Sequence, residues 1–481
     1  MYILLQEYKK NKKQQRTYVL IIPTYKSIIL FFTIMKHYLF ILIMLGSILN
    51  ACQDPNKLEE GFSLVNVSSE ITTVQPMTGL VMWTTHSARQ RYADVITLEF
   101  QYCLPSRVVT GKVDGKIQYD WSYLENILND MQSRNHQAVL RFRYEYPNNS
   151  DVDSENRGST AVPQYIKDMP DYNETFNKNA GGDGPTYYAD WTNAELQWFT
   201  KQFYTDFAER YNNDPRIAFV EVGFGHWSEY HIYGTRLKLG ENFPSKAYQK
   251  EFLLHLSNVM NIPWAISIDA ADSGYTPIVA DNDLMNLHFG LFDDSFMHEH
   301  HEIKQGDGYN ERCWQEIGKG TRWQHGVCGG EISYYTSNDQ RNFLNPEGMY
   351  GWTWEAASAK YHLTFIIAND ATGGVYGTVD RFREAGIAVG YSFEVMNCRT
   401  NGEETRLAVT NNGIAPIYRD AYFAIGNTQS TTSLCTILPN DTVDITIPVG
   451  FKEGDELTIV SPHILPTQTI EYKAKPITIE E

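Results

Sequence analysis

Ile217-Ala218-Phe219-Val220-Glu221-Val222-Gly223-Phe224-Gly225-His226-Trp227-Ser228-Glu229-Tyr230-His231 is the stretch on which the reading of this chain turns. Ile217 to Val222 is apolar apart from Glu221, as expected of a strand buried on both faces. Gly223 and Gly225 then release the chain into a segment carrying His226, Trp227, Glu229 and His231. A buried strand that opens directly into ionisable and aromatic groups suits a parallel barrel, whose functional groups gather where the strands end.

Working outward, short β-type runs alternate with longer segments of helical spacing. The candidate strands are Leu80–Thr84, Ile96–Gln101, Ala138–Arg143, Ile217–Val222, Trp264–Asp269, Leu284–Gly290, Val327–Glu331 and Gly373–Gly377. Helical spacing marks Trp121–Arg134, with Asp120 as its N-cap, and then Asn193–Tyr211, Ser245–Met260 and Glu355–Asn369. Eight strands alternating with helices predict a (β/α)8 TIM barrel. The competing doubly wound sheet lacks a Gly-rich phosphate loop after its first strand. From about Arg383 the texture changes to short alternating runs, beginning with Ile387–Val395 and bounded by Gly, Pro, Asn and Asp, which predicts a small antiparallel β-sandwich. The irregular stretch Pro147–Trp191 reads as a βα loop on the functional face.

The N-terminus reads as processing signal rather than fold. Met35-Lys36-His37 gives a basic start, Tyr38 to Leu49 an apolar run, and Asn50-Ala51-Cys52 a break of the bacterial lipoprotein type, with Cys52 as the lipid-bearing residue. The alternative is a transmembrane anchor over Ile28–Leu49, interrupted by Lys36. The expected organisation is residues 1–51 as upstream extension and lipoprotein signal peptide, 52–75 as tether, 76–382 as barrel and 383–481 as sandwich. The location that follows is the cell envelope, at the outer membrane or cell surface.

Residues 52–481 hold 33 Lys/Arg against 57 Asp/Glu, a net charge of −24, which repels phosphate backbones and argues against nucleic-acid binding. Cys103, Cys313, Cys328, Cys398 and Cys435 show none of the close pairs of a zinc site. Cys313 with Cys328 and Cys398 with Cys435 could form disulfides after export; the alternative is five buried thiols. His298-Glu299-His300-His301-Glu302 lacks the spacing of a His-Glu-x-x-His metal site and reads as a rim loop. Neither metal nor cofactor is expected.

Two acids stand out at strand exits, Glu229 after the fourth strand and Glu331 after Gly329-Gly330 in the seventh. Cleaving an acetal needs one carboxyl to protonate the leaving oxygen and a second to attack or to activate water, so a pair of Glu across a barrel mouth fits glycoside hydrolysis. Glu229 is assigned as acid and Glu331 as nucleophile or base. Each also has a plain reading, Glu229 as a helix-start or Arg-paired carboxylate and Glu331 as a loop acid. Glu221 is expected to pair with Arg141 or Arg143. Trp227, His231, Arg143, Tyr334, Trp352 and Trp354 are candidate sugar contacts, because aromatic faces stack on sugar C–H faces. Asp269, Asp272, His288, Asp293 and Asp294 fall near strand ends without a ranking.

The Gly-Phe-Gly-His-Trp-Ser-Glu-Tyr-His string of residues 223–231 resembles the Gly-rich Trp-Gly-Glu-Trp-His segment of an uncharacterised family of secreted bacterial barrel lipoproteins, associated with glycoside hydrolases and carrying a C-terminal β domain. Ser228 stands where that family has Gly, and Tyr230 where it has a second Trp. Acids after strands four and seven are also similar to retaining barrel glycosidases, although there an Asn precedes the first Glu. The resemblance implies a hydrolase acting on a poly- or oligosaccharide. The alternative from another class is a non-catalytic glycan-binding surface lipoprotein.

Overall fold

The computed structural model describes residues 61–147, 160–182, 184–231 and 236–476. Residues 1–62 and Ser63–Glu481 are separate units, and the architecture below is that of the second. The leader, Met35 and Cys52 lie outside the described residues. Among the described residues no helix is long and apolar enough to cross a membrane.

Eight parallel strands close into a barrel: β1 Gly79–Trp83, β2 Leu98–Cys103, β3 Gln137–Phe142, β4 Ile217–Glu221, β5 Trp264–Ser267, β6 Gly290–Phe296, β7 Cys328–Ile332 and β8 Phe365–Ile367. Helices α1 Ser122–Ser133, α2 Ala194–Tyr211, α3 Lys246–Val259, α4 Tyr309–Gly318, α5 Trp354–Tyr361 and α6 Val379–Ile387 lie between and after them. Their starts follow capping chemistry: Asn193, Ser245, Thr353 and Thr378 accept backbone N–H groups that a first turn leaves unpaired. The (β/α)8 fold is therefore observed.

Two strands lie elsewhere than their sequence suggested. Leu284 belongs to the one-turn helix Asn282–Met285, because Asp281 caps the backbone N–H groups of Asp283 and Leu284, and β6 begins only at Gly290. The eighth strand is not Gly373–Gly377 but the three buried residues Phe365–Ile367, which the longer helical reading of Glu355–Asn369 had absorbed. That helix stops at Tyr361, where His362 turns left-handed. Likewise α6 occupies Val379–Ile387, so the run read as a strand from Ile387 pairs only from Phe393.

Inside the barrel the lower layers are aromatic. Phe219 and Phe365 stack with centroids 5.4 Å apart. A Cβ at Gly329 would fall 2.5 Å from the Phe365 ring, and one at Gly330 (φ +136°) only 2.0 Å from the Asp293 carbonyl oxygen, at an irregularity between β6 and β7. The Gly-Gly pair thus serves core packing and a β-bulge rather than ligand approach.

The C-terminal region folds as two antiparallel sheets on a shared core containing Leu407, Phe423 and Ile445. One contains β9 Phe393–Thr400, β10 Thr405–Asn411 and β12 Thr442–Ile447; the other contains β11 Tyr422–Ile425 and β13 Leu457–Val460. Within the stretch read as tether, Ser63–Leu64 adds a strand to β9, and the Thr72 and Thr73 backbone N–H groups donate to Glu471. The sheet core is continuous with barrel residues Val81, Leu98 and Val139. Polar contacts fall on the ends where barrel strands begin: Tyr391 donates to the Pro76 carbonyl (3.0 Å), Gln137 to that of His463 (2.9 Å), Arg419 to that of Asn212 (2.9 Å) and Tyr418 to that of Trp323 (2.6 Å). The sheets close the barrel floor.

All five described cysteines are free, so neither candidate disulfide is formed; burial pushes the Cys313, Cys328 and Cys398 thiols up to about 12. Because the floor is an extension of the barrel core, deleting residues 389–481 is expected to abolish the cooperative thermal transition followed by circular dichroism. A truncated barrel that melts cooperatively would contradict this packing.

Candidate active site

Arg141, near the end of β3, stands on the aromatic layer, its guanidinium carbon 4.4 Å from the Phe292 centroid and 5.1 Å from that of Phe100. Three glutamates from three segments converge on it. Glu221, closing β4, takes Nε at 2.8 Å and Nη2 at 2.6 Å; Glu229 accepts from Nη1; Glu331, from β7, lies 3.4 Å from Nη2. Tyr102, at the end of β2, accepts from Arg141 Nη1 at 3.2 Å and donates to Glu229 at 3.3 Å. All five side chains are buried.

Glu229 reaches this position through a strained loop. Trp227, Ser228 and Tyr230 have φ of +55°, +60° and +57°, each costing about 1 kcal/mol or more for a residue with a Cβ. Tight packing enforces the turn. A Cβ at Gly223 would lie 2.1 Å from the Ser228 carbonyl oxygen, and Ser228 Oγ donates to the Phe142 carbonyl at 2.9 Å. His226 is buried against Tyr188, whose hydroxyl meets Nε2 at 2.8 Å, and burial pushes its pKa down to about 3, so it is neutral.

One guanidinium faces three carboxylates, and the imbalance shows in their protonation. Burial raises Glu331 well above the usual carboxylate range; Arg141 opposes that rise, while Glu229, Glu221 and Asp294 reinforce it. Burial also raises Glu221, against its pairing with Arg141.

Beside this trio lies a second group. His231 Nδ1 is 3.7 Å from Asp294 Oδ2 and 4.0 Å from Glu229 Oε2. Burial alone would lower its pKa, but Glu229, Asp294 and Asp269 hold it up to about 9. Asp294 is pushed up to about 7 by burial and by Glu229, and Asp269 well above its usual range by burial and by Asp294.

The structure brings Glu229, Glu331 and His231 together, with Trp227 beside them at 5.1 Å from the His231 ring. Arg143 does not pair with Glu221; its guanidinium lies over Tyr146 (4.2 Å) at the mouth. Tyr334 is half-exposed, with Asn369 Nδ2 3.4 Å from its hydroxyl. Two proposed platforms are elsewhere. Trp354 is fully buried, donating to the Ala385 carbonyl, and Trp352 packs on Phe296, His301 and Tyr361, because the first turn of α5 and the turn before it bury their apolar side chains against the barrel wall.

The histidine string is only partly a rim: Glu299 and His300 are exposed, while the rest is buried. His301 is a buried imidazole between Asp293 (2.9 Å) and Glu302 (3.2 Å), and His298 meets Asn310 at 3.0 Å. Of the acids the sequence left unranked, Asp269 and Asp294 belong to the mouth, whereas Asp293 also accepts from Trp314 and Asn310 in this supporting network. His288 stacks on His325 before β6, away from the mouth. Strand alternation could have found Asp294, since it lies two residues beyond the inward-facing Phe292.

No protein-family model and no curated protein matches the sequence. Among solved structures the chain is similar to endo-glycoceramidase II from Rhodococcus sp., at 10% identity over 79% of this chain and 100% of that one, with a TM-score of 0.41. It is also similar to a GH30 endoxylanase from Clostridium papyrosolvens, at 10% identity over 83% and 97% of the two chains (TM-score 0.38), and to an alpha-galactosidase from Thermus thermophilus, at 12% over 71% and 66% (0.36). The barrel assignment rests on the strand pairing of the chain itself.

Replacing Arg141 by Met removes the cation while keeping most of the volume. It is expected to cost on the order of 3–5 kcal/mol at pH 7.5 in urea unfolding, because three carboxyls are left without a counter-charge. Acids whose folded pKa is raised destabilise the fold once ionised, so the loss should shrink as pH falls toward about 4. An equal loss at both pH values would mean that Arg141 acts only by packing.

Proposed function

We propose that this protein is a glycoside hydrolase acting on a poly- or oligosaccharide, with Glu229 and Glu331 as its catalytic pair. The observation that carries the reading is that the two carboxyls stand on the loop after β4 and on β7 of a closed eight-stranded parallel barrel, with Glu331 raised well above the usual carboxylate range by burial. A pair spanned by one planar group favours the ~5–5.5 Å separation of a displacement mechanism over the wider gap that admits water.

We assign the two roles in the reverse of the order expected from sequence, on the raised pKa of Glu331. Glu331, raised by burial, keeps its proton and delivers it to the leaving glycosidic oxygen, while Glu229, paired with Arg141, attacks the anomeric carbon. The C–O bond to the leaving group breaks as the bond to Glu229 forms. Glu331, now ionised, takes a proton from water, whose oxygen displaces Glu229 with retention. Trp227, Tyr334 and Arg143 line the mouth as sugar contacts. In the same reading Cys52 carries a lipid anchor and places the protein in the cell envelope, at the outer membrane or surface, with no nucleic-acid partner.

A second reading, a non-catalytic glycan-binding lipoprotein, is favoured by one observation: both acids are engaged by Arg141 rather than standing clear across a cleft. Incubating the protein lacking residues 1–52 with bacterial, plant and algal glycans separates the two. Turnover is expected, with kcat lowered on the order of 10³-fold or more in both Glu229→Gln and Glu331→Gln. Binding without turnover, equal in all three proteins, would establish the binder. The alkaline limb of kcat/KM should report the loss of the Glu331 proton, since activity falls as pH rises through its folded pKa. The anchor is tested by Cys52→Ala, which should move the protein from the membrane to the soluble fraction.

A further inference from the structure

Glu229, His231 and Asp294 each direct one ligand atom to a common point at the mouth, all three within 4.8 Å of one another. The individual spans, 3.7 Å from His231 to Asp294 and 4.0 Å from His231 to Glu229, exceed a direct hydrogen bond. They match ligand atoms arranged around a shared centre at metal–ligand distances of ~2.0–2.6 Å. The two oxygens of Glu229 are divided: Oε1 is committed to Arg141 and Tyr102, and Oε2 faces His231. The loop strain at Trp227, Ser228 and Tyr230 fixes Glu229 and His231 on the same side of this point.

A separate observation comes from β5. Asp269, just beyond that strand, is only 4% exposed, and among the described residues its carboxylate accepts no hydrogen bond. Its electrostatic neighbours are Asp294, His231, Asp293 and Glu229. Of these, Asp293 is committed to His301, Trp314 and Asn310. A buried carboxylate without a hydrogen-bond donor is costly to retain unless something else answers it. The cationic groups facing the cluster are Arg141, held by the three glutamates, and His231 itself.

We infer that Glu229, His231 and Asp294, supported by Asp269, form a binding site for one divalent cation of the zinc or manganese class. Once the ion displaces the His231 proton, one neutral imidazole and carboxylate oxygens suit such ions better than a purely soft or purely hard set. The side chains of His231 and Asp294 are 27% and 16% exposed, so the ion can enter from the mouth and keeps a coordination position open to a substrate hydroxyl. The site goes beyond the hydrolase reading and does not depend on it; it shares Glu229 with the catalytic pair, so an ion bound there would compete with that residue's attack on the substrate.

The test is isothermal titration of the chelator-stripped full chain in detergent with Zn2+, Mn2+ and Ca2+ separately, without any glycan. One equivalent of Zn2+ or Mn2+ is expected to bind, at least 30-fold more weakly in Asp294→Asn and in His231→Gln, and unchanged in Asp272→Asn. Melting temperatures measured without metal identify any variant that fails to fold, and Asp269→Asn then replaces it. Absence of 1:1 binding by both Zn2+ and Mn2+, or binding that survives both substitutions, overturns the site. Because no turnover is read, failure here leaves the hydrolase assay standing, and the converse holds as well.

Discussion

A single buried guanidinium has to answer three buried carboxylates. Arg141 cannot be deprotonated, and it holds Glu221 from the strand, Glu229 from the strained loop and Glu331 from the far side of the barrel. Burying charges costs more than one ion pair returns unless the geometry is filled by hydrogen bonds. Here the fill comes from Tyr102 and from two guanidinium N–H groups on Glu221 Oε2, while burial and the neighbouring acids raise Glu331 well above the usual carboxylate range. The convergence of three segments at this end of the barrel follows from this arrangement.

The rest of the fold keeps that cluster rigid. Aromatic rings fill the barrel below Arg141, and the C-terminal sheets seal the floor with a core continuous with the barrel. Behind β6, Asp293 is tied to His301, Trp314 and Asn310, which fixes the strand that carries Asp294. With the floor occupied by the sheets, ligands have the opposite end of the strands, where Trp83, Tyr102, Tyr146 and Trp227 form edge-on aromatic contacts. The strain at Trp227, Ser228 and Tyr230 is the cost of aiming Glu229 inward from a loop rather than from a strand.

Much of this was legible in residue order, and the failures have physical causes. Six of the eight barrel strands and the long helices can be read from periodicity, and the position of Glu229 and Glu331 at strand exits can be read with them. The eighth strand has only three residues, too few for a period, and Asp281 turned an apolar run into a helix. Trp352 and Trp354 looked like platforms because sequence gives no depth; both are buried, Trp354 in the first turn of its helix and Trp352 in the turn before it. The pairing of Glu221 with an arginine could be anticipated from strand alternation. That the same arginine also takes Glu229 and Glu331 could not, because the loop that brings Glu229 back depends on non-glycine residues in left-handed conformations. Asp269 and Asp294 were visible only as acids near strand ends until closure of the barrel placed them beside His231.

The most direct measurement is a carbon-13 NMR titration of the side-chain carboxyls in protein labelled at glutamate. The resonance that vanishes in Glu331→Gln should titrate well above the ordinary glutamate range, separately from that of the buried Glu145, which is itself pushed up to about 8. If the resonance lost in Glu331→Gln titrates within the ordinary glutamate range, no proton is held in the cluster, and the balance between Arg141 and its three glutamates is not what organises this site.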